Sequence, residues 1–402
     1  MLGSALKGVE NLEENSDLLD NVQVITQFEP NFLRLFMPCF DEPCFKAVFK
    51  LTTLLDYKYY SVISNTEGEE SMTGEGQKKV EFQETPLMST YLFAFAIGTF
   101  EYQERFTSSG VKMRTYTPKG MSHLTVDQLK IASDAIEVYE EYFGMPYPLK
   151  KLDMVSYMKH DFRAMENWGL ISVKEGILEG LYDPQNPAPF IRNARTIAHE
   201  VSHMWFGNFV TMEWWNDIWL NEGFARFCEH HVLSIIRPEF NIWEGYLEEV
   251  YMVAQQRDMN IGSTHSVKFT IDNPDNLLDI FDTISYAKGS VICRMTRLMV
   301  GDEQLFRQCL KTYLSRYQWR NATTPDLLSV IDEVSGKNVS EVMIPWIEMK
   351  SYPAVLIERT GNNTYHLKQE VFSNHTQGYI YPIPIHYQST SGLTGSFIFG
   401  TQ

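Results

Sequence analysis

The spacing of hydrophobic residues divides the chain into a β-rich part, a helical part and a second β-rich part. From about residue 23 to 117, short segments rich in Val, Phe, Tyr and Thr are separated by turn-like stretches such as NTEGEE and TGEGQ. Such segments, bounded by turn residues, are typical of β-strands. The first part of the chain is therefore predicted to be an antiparallel β region.

A helical spacing of apolar residues begins near residue 124, where the stretch VDQLKIASDAIEVYEEYFG ends in a glycine. This stretch is predicted to be one complete helix, because glycine often follows the last helical residue. Similar patterns predict further helices over 188–208, 220–236, 241–257, 286–315 and 324–334. After MIPWIEMKSYPAV the pattern changes back to β, so the chain is predicted to be an α+β protein.

The size and charge of the chain limit its class. Its 402 residues, of which 44% are hydrophobic, suffice for a large core and exceed the usual length of one domain. The formal net charge is −17. Such an acidic surface argues against nucleic acid as a partner and favours cationic or amine-bearing ligands.

The apolar runs are too short to cross a membrane. The longest, YLFAFAIGTF at 91–100, falls well short of the about 18 residues that a membrane span needs. We therefore expect no transmembrane segment in this chain. The first residues also lack the basic region and apolar core of a signal peptide. The location stays open between the cytoplasm and the ectodomain of a membrane or secretory protein.

Five cysteines are scattered along the chain: Cys39, Cys44, Cys228, Cys293 and Cys309. An odd number at such wide spacing does not fit a disulfide framework. We therefore predict buried or free thiols, which pack like small apolar side chains.

The stretch RTIAHEVSHMWFGN, residues 195–208, places polar side chains in the middle of an apolar run. His199 and His203 are four residues apart, so on one helix their rings project from the same face. Two imidazoles at that separation can bind one Zn²⁺, and Glu200 can then act as the general base without being a ligand. A helix with two surface histidines would show the same short motif.

A third candidate ligand makes the zinc interpretation more specific. A catalytic zinc usually has three protein ligands and one open position. Glu222, in WWNDIWLNEGFARF, follows His203 with 18 residues between them, and the local pattern places it early in the next helix. We predict that His199, His203 and Glu222 bind one zinc ion per chain.

Several longer stretches resemble the zinc aminopeptidases of the M1 family, gluzincins that include aminopeptidase N and puromycin-sensitive aminopeptidase. They occur in family order over roughly residues 25–355: TQFEP…PCFDEP, TPLMSTYLFAFAIGTFEY, YPLKKLDMV, RAMENWGL, HEVSHMWFGNFVTMEWWNDIWLNEGFA and DIFDTISYAKGSVICRM. The resemblance implies an α+β multidomain fold. Its expected parts are an N-terminal antiparallel β domain over 1–117, a thermolysin-like catalytic domain over 118–346 and the start of a small β-sandwich over 347–402.

The resemblance also implies an activity, the removal of single residues from the N terminus of a peptide. Such an enzyme must hold a free α-ammonium group, and a neighbouring carboxylate does so through charge-assisted hydrogen bonds that fix the cleavage register. Peptides with a free N terminus are the expected partners. The family positions that bind them correspond to Gln27, Glu29, Ala164, Met165, Glu166 and Asn167.

Two further roles follow from the resemblance. Tyr286, in ISYAKG, matches the family tyrosine that stabilises the tetrahedral intermediate, as a phenolic O–H aimed at an oxyanion can do. Glu200 and Tyr286 are therefore the expected catalytic residues, although Tyr286 could instead be a core tyrosine. Asp217 or another nearby carboxylate is expected to orient one of the zinc-binding histidines.

The chain departs from the family pattern at Arg163, which stands where the family motif GAMEN has its glycine. Arg163 and Glu166 are three residues apart, so on an extended strand they face opposite sides. We expect Arg163 to point away from Glu166, whereas a bend in the strand would let the two side chains pair. The residues before TQFEP are unlike the family strands, and the large helical domain of most relatives does not follow. A form truncated at both ends is therefore expected.

Two other functions remain compatible with the sequence. One is a related epoxide hydrolase that shares the zinc site and also acts as an aminopeptidase, although no motif here indicates the deep apolar channel that it needs. The other is a catalytically silent peptide-binding fragment. Which N-terminal residue is preferred is not indicated by any motif.

Overall fold

The structure of the protein is a computed structural model. It describes residues 9–12, 23–55, 60–157, 162–260, 262–271, 274–362, 364–372, 379–390 and 392–400. Two compact units make up the chain. The first comprises Met1–Trp214, Cys228–Ile242 and Leu314–Ala322, and the second comprises Trp215–Phe227, Trp243–Tyr313 and Thr323–Gln402.

Strands and helices are numbered in chain order. The strands are β1 (Val9–Leu12), β2 (Gln23–Thr26), β3 (Thr52–Leu55), β4 (Ser61–Ser64), β5 (Gly68–Met72), β6 (Lys78–Phe82), β7 (Phe95–Gly98), β8 (Phe100–Phe106), β9 (Lys112–Pro118), β10 (Lys151–Tyr157), β11 (Ala164–Met165), β12 (Leu170–Lys174), β13 (Val210–Met212), β14 (Arg320–Ala322), β15 (Pro353–Gly361), β16 (Thr364–Val371), β17 (Ile383–Gln388) and β18 (Thr394–Phe399). The α-helices are α1 (Leu33–Phe36), α2 (Val126–Phe143), α3 (Ala188–Ser202), α4 (Trp219–Ile236), α5 (Met252–Met259), α6 (Gly289–Val300), α7 (Glu303–Tyr317), α8 (Thr324–Ser335) and α9 (Val339–Glu348).

Sheets of the first unit confirm the β region that the segments rich in Val, Phe, Tyr and Thr predict. One antiparallel sheet has the strand order β1-β2-β7-β4, and another has the order β3-β6-β5. Buried Val80 and Phe82 of β6 pack against Val62 of β4. Alternate residues of β6 are thus turned inward, as the two-residue period of a strand requires.

A mixed sheet of the order β11-β12-β10-β9-β8 also belongs to the first unit. Its central strand β10 pairs in parallel with β9 and β12 and is buried along its whole length. Two charged residues of β10 tolerate this burial because they pair: Lys151 Nζ lies 2.8 Å from Asp153 Oδ2, and Arg114 Nε donates to Asp153 Oδ1 at 2.7 Å. Burial of a charge without such a partner would be costly.

Helices α2 and α3 pack together beside these sheets. The predicted end of α2 is confirmed, because Gly144 follows it with a φ of 60°, in the left-handed region that favours glycine. The hydroxyl of Tyr139 on α2 donates to the carbonyl oxygen of Ala198 on α3 at 3.0 Å. The prediction of a helix over 188–208 is too long, since α3 ends at Ser202 and the chain turns back through Gly207, whose φ is 129°.

Close helix packing marks the second unit. Gly223 of α4 lies against Gly289 of α6, and a Cβ added to Gly223 would come within 2.9 Å of the Gly289 backbone. The helix predicted over 286–315 is instead two helices, α6 and α7, because Gly301 ends α6 with a φ of 78°. Part of the helix predicted over 241–257 is a π-helix at Leu247–Tyr251 that continues into α5.

The return to β structure near the end of the chain is confirmed as two antiparallel hairpins, β15–β16 and β17–β18. Within the described residues each forms a two-stranded sheet. Among the described helices, none combines the length and the hydropathy that crossing a membrane requires.

Candidate metal and peptide-binding site

The C-terminal end of α3 and the residue that follows it carry three ionisable side chains. His199, Glu200 and His203 are buried, with 8%, 6% and 1% of their surface exposed. The two imidazole rings lie on one face of the helix with 4.7 Å between their centroids. Burial of three ionisable side chains in an apolar run requires partners that satisfy them. Surface histidines, the alternative open from the sequence, are therefore excluded.

Both histidines are oriented through Nδ1. His199 Nδ1 donates to the Glu229 carboxylate at 3.0 Å, and His203 Nδ1 donates to the Phe206 carbonyl oxygen at 2.9 Å. A carboxylate and a carbonyl oxygen only accept hydrogen bonds, so each neutral ring carries its proton on Nδ1. Its lone pair is then on Nε2, which is the state of a histidine that binds a metal through Nε2.

Glu229 is the orienting carboxylate that the sequence left open, and it is not Asp217. Glu229 also accepts from Arg195 Nε at 3.0 Å, so both of its oxygens are used in a buried pair. Asp217 instead accepts from the Thr324 hydroxyl at 2.6 Å and lies 3.5 Å from Lys268 Nζ. A signal for Glu229 was present in the sequence. It follows Glu222 by seven residues, which is two turns of one helix.

Candidate metal ligands come together at this face of α3. One ligand atom each from His199, His203 and Glu222 lie within 4.8 Å of one another, and all three residues are buried. Two imidazole nitrogens and one carboxylate oxygen are the donor set that catalytic zinc prefers. A second such group joins Glu200 and His203 to Glu166. The residues present therefore fit a zinc ion chemically.

Acidic and amide side chains lie next to His199, Glu200 and His203. Carboxylate oxygens of Glu29 and Glu166 lie within 4.8 Å of each other, and both residues are buried. Gln27 Nε2 donates to the sulfur of Met165 at 3.1 Å, which fixes the direction of that amide. Among the described residues, no donor reaches the buried atoms Gln27 Oε1 and Asn167 Oδ1. Such a set of acceptors can receive an ammonium group.

The turn after Glu166 is held tightly by its neighbours. Gly169 has a φ of 81°, and a Cβ on it would overlap the carbonyl oxygen of Asn65. Asn65 Nδ2 donates to the Trp168 carbonyl oxygen at 2.8 Å, and buried Lys151 Nζ donates to that of Gly169 at 2.7 Å. These contacts fix the backbone that carries Glu166.

Strand β11, with Ala164 and Met165, is an end strand of the mixed sheet. It pairs with β12 in the antiparallel register Ala164–Val173 and Met165–Ser172. An end strand offers backbone groups to an added extended peptide.

The side chain of Arg163 contacts α3, and the residue lies at a bend just before the two-residue strand β11, not within an extended strand. Its Nε donates to the Thr196 hydroxyl at 2.6 Å, and its Nη2 donates to Asn193 Oδ1 at 3.0 Å. Both partners lie on α3. Burial and the neighbouring Arg192 lower the pKa of Arg163, while Glu200 acts in the opposite direction, and the group remains charged.

Tyr286 lies in the second unit, in a π-helix at Ile284–Lys288. Its backbone N–H donates to the Asp282 carbonyl oxygen at 3.1 Å, and its side chain is half-buried. π-Helical turns often occur at functional positions. The catalytic role of Tyr286 stays a prediction.

The cysteines are not joined in disulfides, which confirms the prediction of free or buried thiols. Cys228, Cys293 and Cys309 are buried, while Cys39 and Cys44 are partly exposed. Burial, together with the adjacent Glu229, raises the pKa of the Cys228 thiol. Cys228 is therefore protonated and unreactive at neutral pH.

Comparison with known proteins adds independent information. Two family models match the chain: the Peptidase M1 N-terminal domain over residues 14–92 and the Peptidase family M1 domain over residues 128–346. Aminopeptidase M1-C of Oryza sativa subsp. japonica is 38% identical over 364 residues, which are 90% of this chain and 41% of that protein.

Other relatives come from distant organisms. The puromycin-sensitive aminopeptidase of Caenorhabditis elegans is 38% identical over 84% of this chain and 36% of its own length. The leucyl aminopeptidase of Saccharolobus solfataricus is 37% identical over 91% of this chain and 46% of its own length. The chain thus spans less than half the length of the curated relatives it matches. With the catalytic family model covering more than half of its residues, the chain belongs to peptidase family M1.

Proposed function

We propose that this chain is a zinc-dependent aminopeptidase that removes the N-terminal residue from peptides. The observation that carries the proposal is the pair of buried imidazoles on α3, each held through Nδ1, with the Glu222 carboxylate within 4.8 Å. The relatives are named aminopeptidases, which favours this function over an epoxide hydrolase or a silent peptide-binding fragment.

His199, His203 and Glu222 would hold the zinc ion. When bound, zinc supplies Lewis-acid polarisation of the first peptide carbonyl and of the attacking water. Glu229 and the Phe206 carbonyl oxygen keep the two imidazoles in the orientation that this binding requires. These two acceptors preorganise the imidazole rings, because a ring that must first reorient binds the metal less tightly.

Glu200 is the proposed general base. It follows His199 on the same helix and lies in one group with His203 and Glu166, so it is adjacent to the ligands. Its carboxylate accepts a proton from the attacking water and then donates that proton to the nitrogen of the leaving amine. Tyr286 is proposed to donate a hydrogen bond to the oxyanion that forms during this step.

Gln27, Glu29 and Glu166 are proposed to bind the α-ammonium group of the substrate, beside Ala164, Met165 and Asn167. Support comes from the two close carboxylates and from buried Gln27 Oε1, to which no described donor is directed. A single cation placed among them would satisfy these acceptors and relieve the repulsion between Glu29 and Glu166. The requirement for a free N terminus follows from this arrangement.

We also propose domain boundaries of 1–117, 118–346 and 347–402 for the N-terminal β domain, the thermolysin-like domain and the start of a β-sandwich. The two family models match segments inside the first and second ranges. The two hairpins at the end of the chain fall inside the third.

Turnover of a chromogenic alanyl amide by the zinc-loaded chain tests the proposed function. We expect hydrolysis of the unblocked amide, and no hydrolysis after N-acetylation or after removal of zinc by a chelator. Glu200→Gln should keep the zinc and lose at least about 100-fold in kcat, because it removes the proton carrier without removing a ligand. Hydrolysis of the acetylated amide would contradict the proposal, and so would a Glu200→Gln variant with more than a tenth of the activity.

A further inference from the structure

Arg163 is fixed on the surface of α3. Its exposed guanidinium is hydrogen-bonded to the Thr196 hydroxyl at 2.6 Å, to Asn193 Oδ1 at 3.0 Å and to the Arg192 carbonyl oxygen at 3.5 Å. The backbone of Arg163 is also held, since its carbonyl oxygen accepts from the Lys174 N–H at 3.0 Å. A planar group with several fixed donors loses little further entropy when it binds a carboxylate.

The guanidinium lies one helical turn from the proposed general base. Thr196 precedes Glu200 by four residues, which corresponds to about 6 Å along the helix axis, and the two residues share a face. Arg163 is close enough to Glu200 for the carboxylate to affect the pKa of the guanidinium. The cation is therefore beside the proposed reaction centre, on the side toward the N-terminal end of α3.

The proposed ammonium anchor is near residues of α3 that follow those contacted by Arg163. Glu166 forms one group with Glu200 and His203, which is three residues nearer the C-terminal end of α3. A peptide held by its α-amine at Glu166, with its first peptide bond beside Glu200, continues toward Thr196. The residues that follow the cleaved bond then approach Arg163.

The positive charge of Arg163 contrasts with the acidic residues around the proposed peptide path. Glu29, Glu166 and Glu200 surround the path of the peptide start, and the whole chain carries a formal charge of −17. An acidic substrate side chain would be repelled by such surroundings. The fixed guanidinium of Arg163 reverses that local preference just past the cleaved bond.

We propose that Arg163 selects peptides that carry an acidic side chain at one of the first two residues after the cleaved bond. The inference rests on the proposed function, because it uses the anchor at Glu166 to set the register. An extended peptide advances about 3.3 Å per residue and alternates its side chains, so either the second or the third residue faces Arg163, but not both. A partly exposed ion pair of this kind corresponds to a roughly 1.5- to 5-fold change in Kd.

Peptide binding to the zinc-loaded Glu200→Gln chain measures this selectivity without turnover. The probes are Ala-Asp-Ala-Ala and Ala-Ala-Asp-Ala, each compared by calorimetry with the peptide that has Asn in place of Asp. We expect Asp to bind about 1.5- to 5-fold more tightly than Asn at one of the two positions. Adding Arg163→Gln should bring that ratio to about one, and Arg163→Glu should invert it.

Arg192→Gln is the matched control, because it removes the same charge from the neighbouring surface of α3 and leaves the partners of Arg163 in place. The Asp/Asn ratio should be unchanged in this variant. An equal loss of selectivity in Arg192→Gln would overturn the proposal, as would a ratio near one at both positions or peptides that do not bind.

The alanyl amide keeps the two proposals distinguishable. It has no residue after the cleaved bond, so its hydrolysis by the unmodified chain tests the proposed function alone. Hydrolysis of the amide with no Asp/Asn preference overturns the role of Arg163 and leaves the aminopeptidase proposal intact. A clear Asp/Asn preference without hydrolysis of the amide would contradict the aminopeptidase proposal and would leave Arg163 only as a binding residue for acidic peptides.

Discussion

Each histidine of the candidate metal site is oriented by a different kind of acceptor. His203 uses the carbonyl oxygen of Phe206, which is three residues away and cannot be removed by mutation. His199 uses the carboxylate of Glu229, which comes from α4 and is itself paired with Arg195. The orientation of His199 is therefore the one that a single substitution can disturb.

Glu229→Gln should weaken zinc binding by about 10- to 100-fold, the usual effect of removing such an orienting carboxylate. The amide can still accept one hydrogen bond, but it lacks the charge that binds Arg195 and strengthens the ligand. Competition with a chromogenic chelator measures the zinc Kd. Asp217→Asn is the control, because that carboxylate contacts Thr324 and Lys268. An equal loss of affinity in both variants would contradict the role of Glu229.

Single residues could be predicted from the sequence where their chemistry depends on local spacing. His199, Glu200 and His203 share one helical turn, so their common face follows from the helix period. The contacts of Arg163 could not be derived in this way, because Arg163 lies at a bend just before the two-residue strand β11. Glu229 could not be assigned with equal ease, because its contact with His199 joins two separate helices. Which of several nearby carboxylates makes such a contact depends on packing.

At the scale of elements, the turn from Glu166 to Gly169 depends on one glycine. The positive φ of Gly169 alone disfavours other residues at this position, and a Cβ on Gly169 would also overlap the carbonyl oxygen of Asn65. These two effects can be separated, since Gly176 has a φ of 84° and, apart from its two chain neighbours, none of the described residues has an atom within 4 Å of its added Cβ.

Gly169→Ala should lower the free energy of unfolding by more than about 3 kcal/mol, because it combines backbone strain with a clash. Gly176→Ala should cost only about 1–2 kcal/mol, the strain alone. Urea unfolding followed by tryptophan fluorescence measures both values. Similar losses in the two variants would mean that the Asn65 contact can relax and does not fix the turn.

Element boundaries were predicted less well than element types. The helix pattern over 286–315 is continuous in hydrophobic spacing, yet Gly301 divides it by taking a φ that few other residues adopt. The pattern over 188–208 includes residues after Ser202 that are as apolar as helix residues because they are buried in a turn. A run of buried apolar residues in a turn continues the hydrophobic pattern of the helix before it. The pattern alone therefore does not show where the helix ends.

At the scale of the whole molecule, a ligand that binds only the folded chain adds to its stability. Glu222 lies on α4, with 18 residues between it and His203, so the unfolded chain does not hold the three candidate ligands together. Zinc binding therefore favours folding, and the added free energy of unfolding grows with the logarithm of the free zinc concentration.

Saturating zinc should raise the free energy of unfolding by about 4 kcal/mol when the free metal exceeds its Kd by 1,000-fold. Thermal unfolding with and without a chelator measures the change. His203→Gln should unfold at the same temperature in both conditions, because it has lost a ligand. A chelator effect of equal size in His203→Gln would place the stabilising metal elsewhere.

The seven-residue interval between Glu222 and Glu229 makes α4 a fixed spacer. One residue inserted or deleted between them would rotate one carboxylate by about 100° relative to the other. The third candidate ligand and the orienting carboxylate could then no longer serve the same histidine pair. Substitutions on the other faces of α4 leave this spacing intact. Length changes should therefore be excluded from 223–228 in any functional homologue, even where the side chains differ.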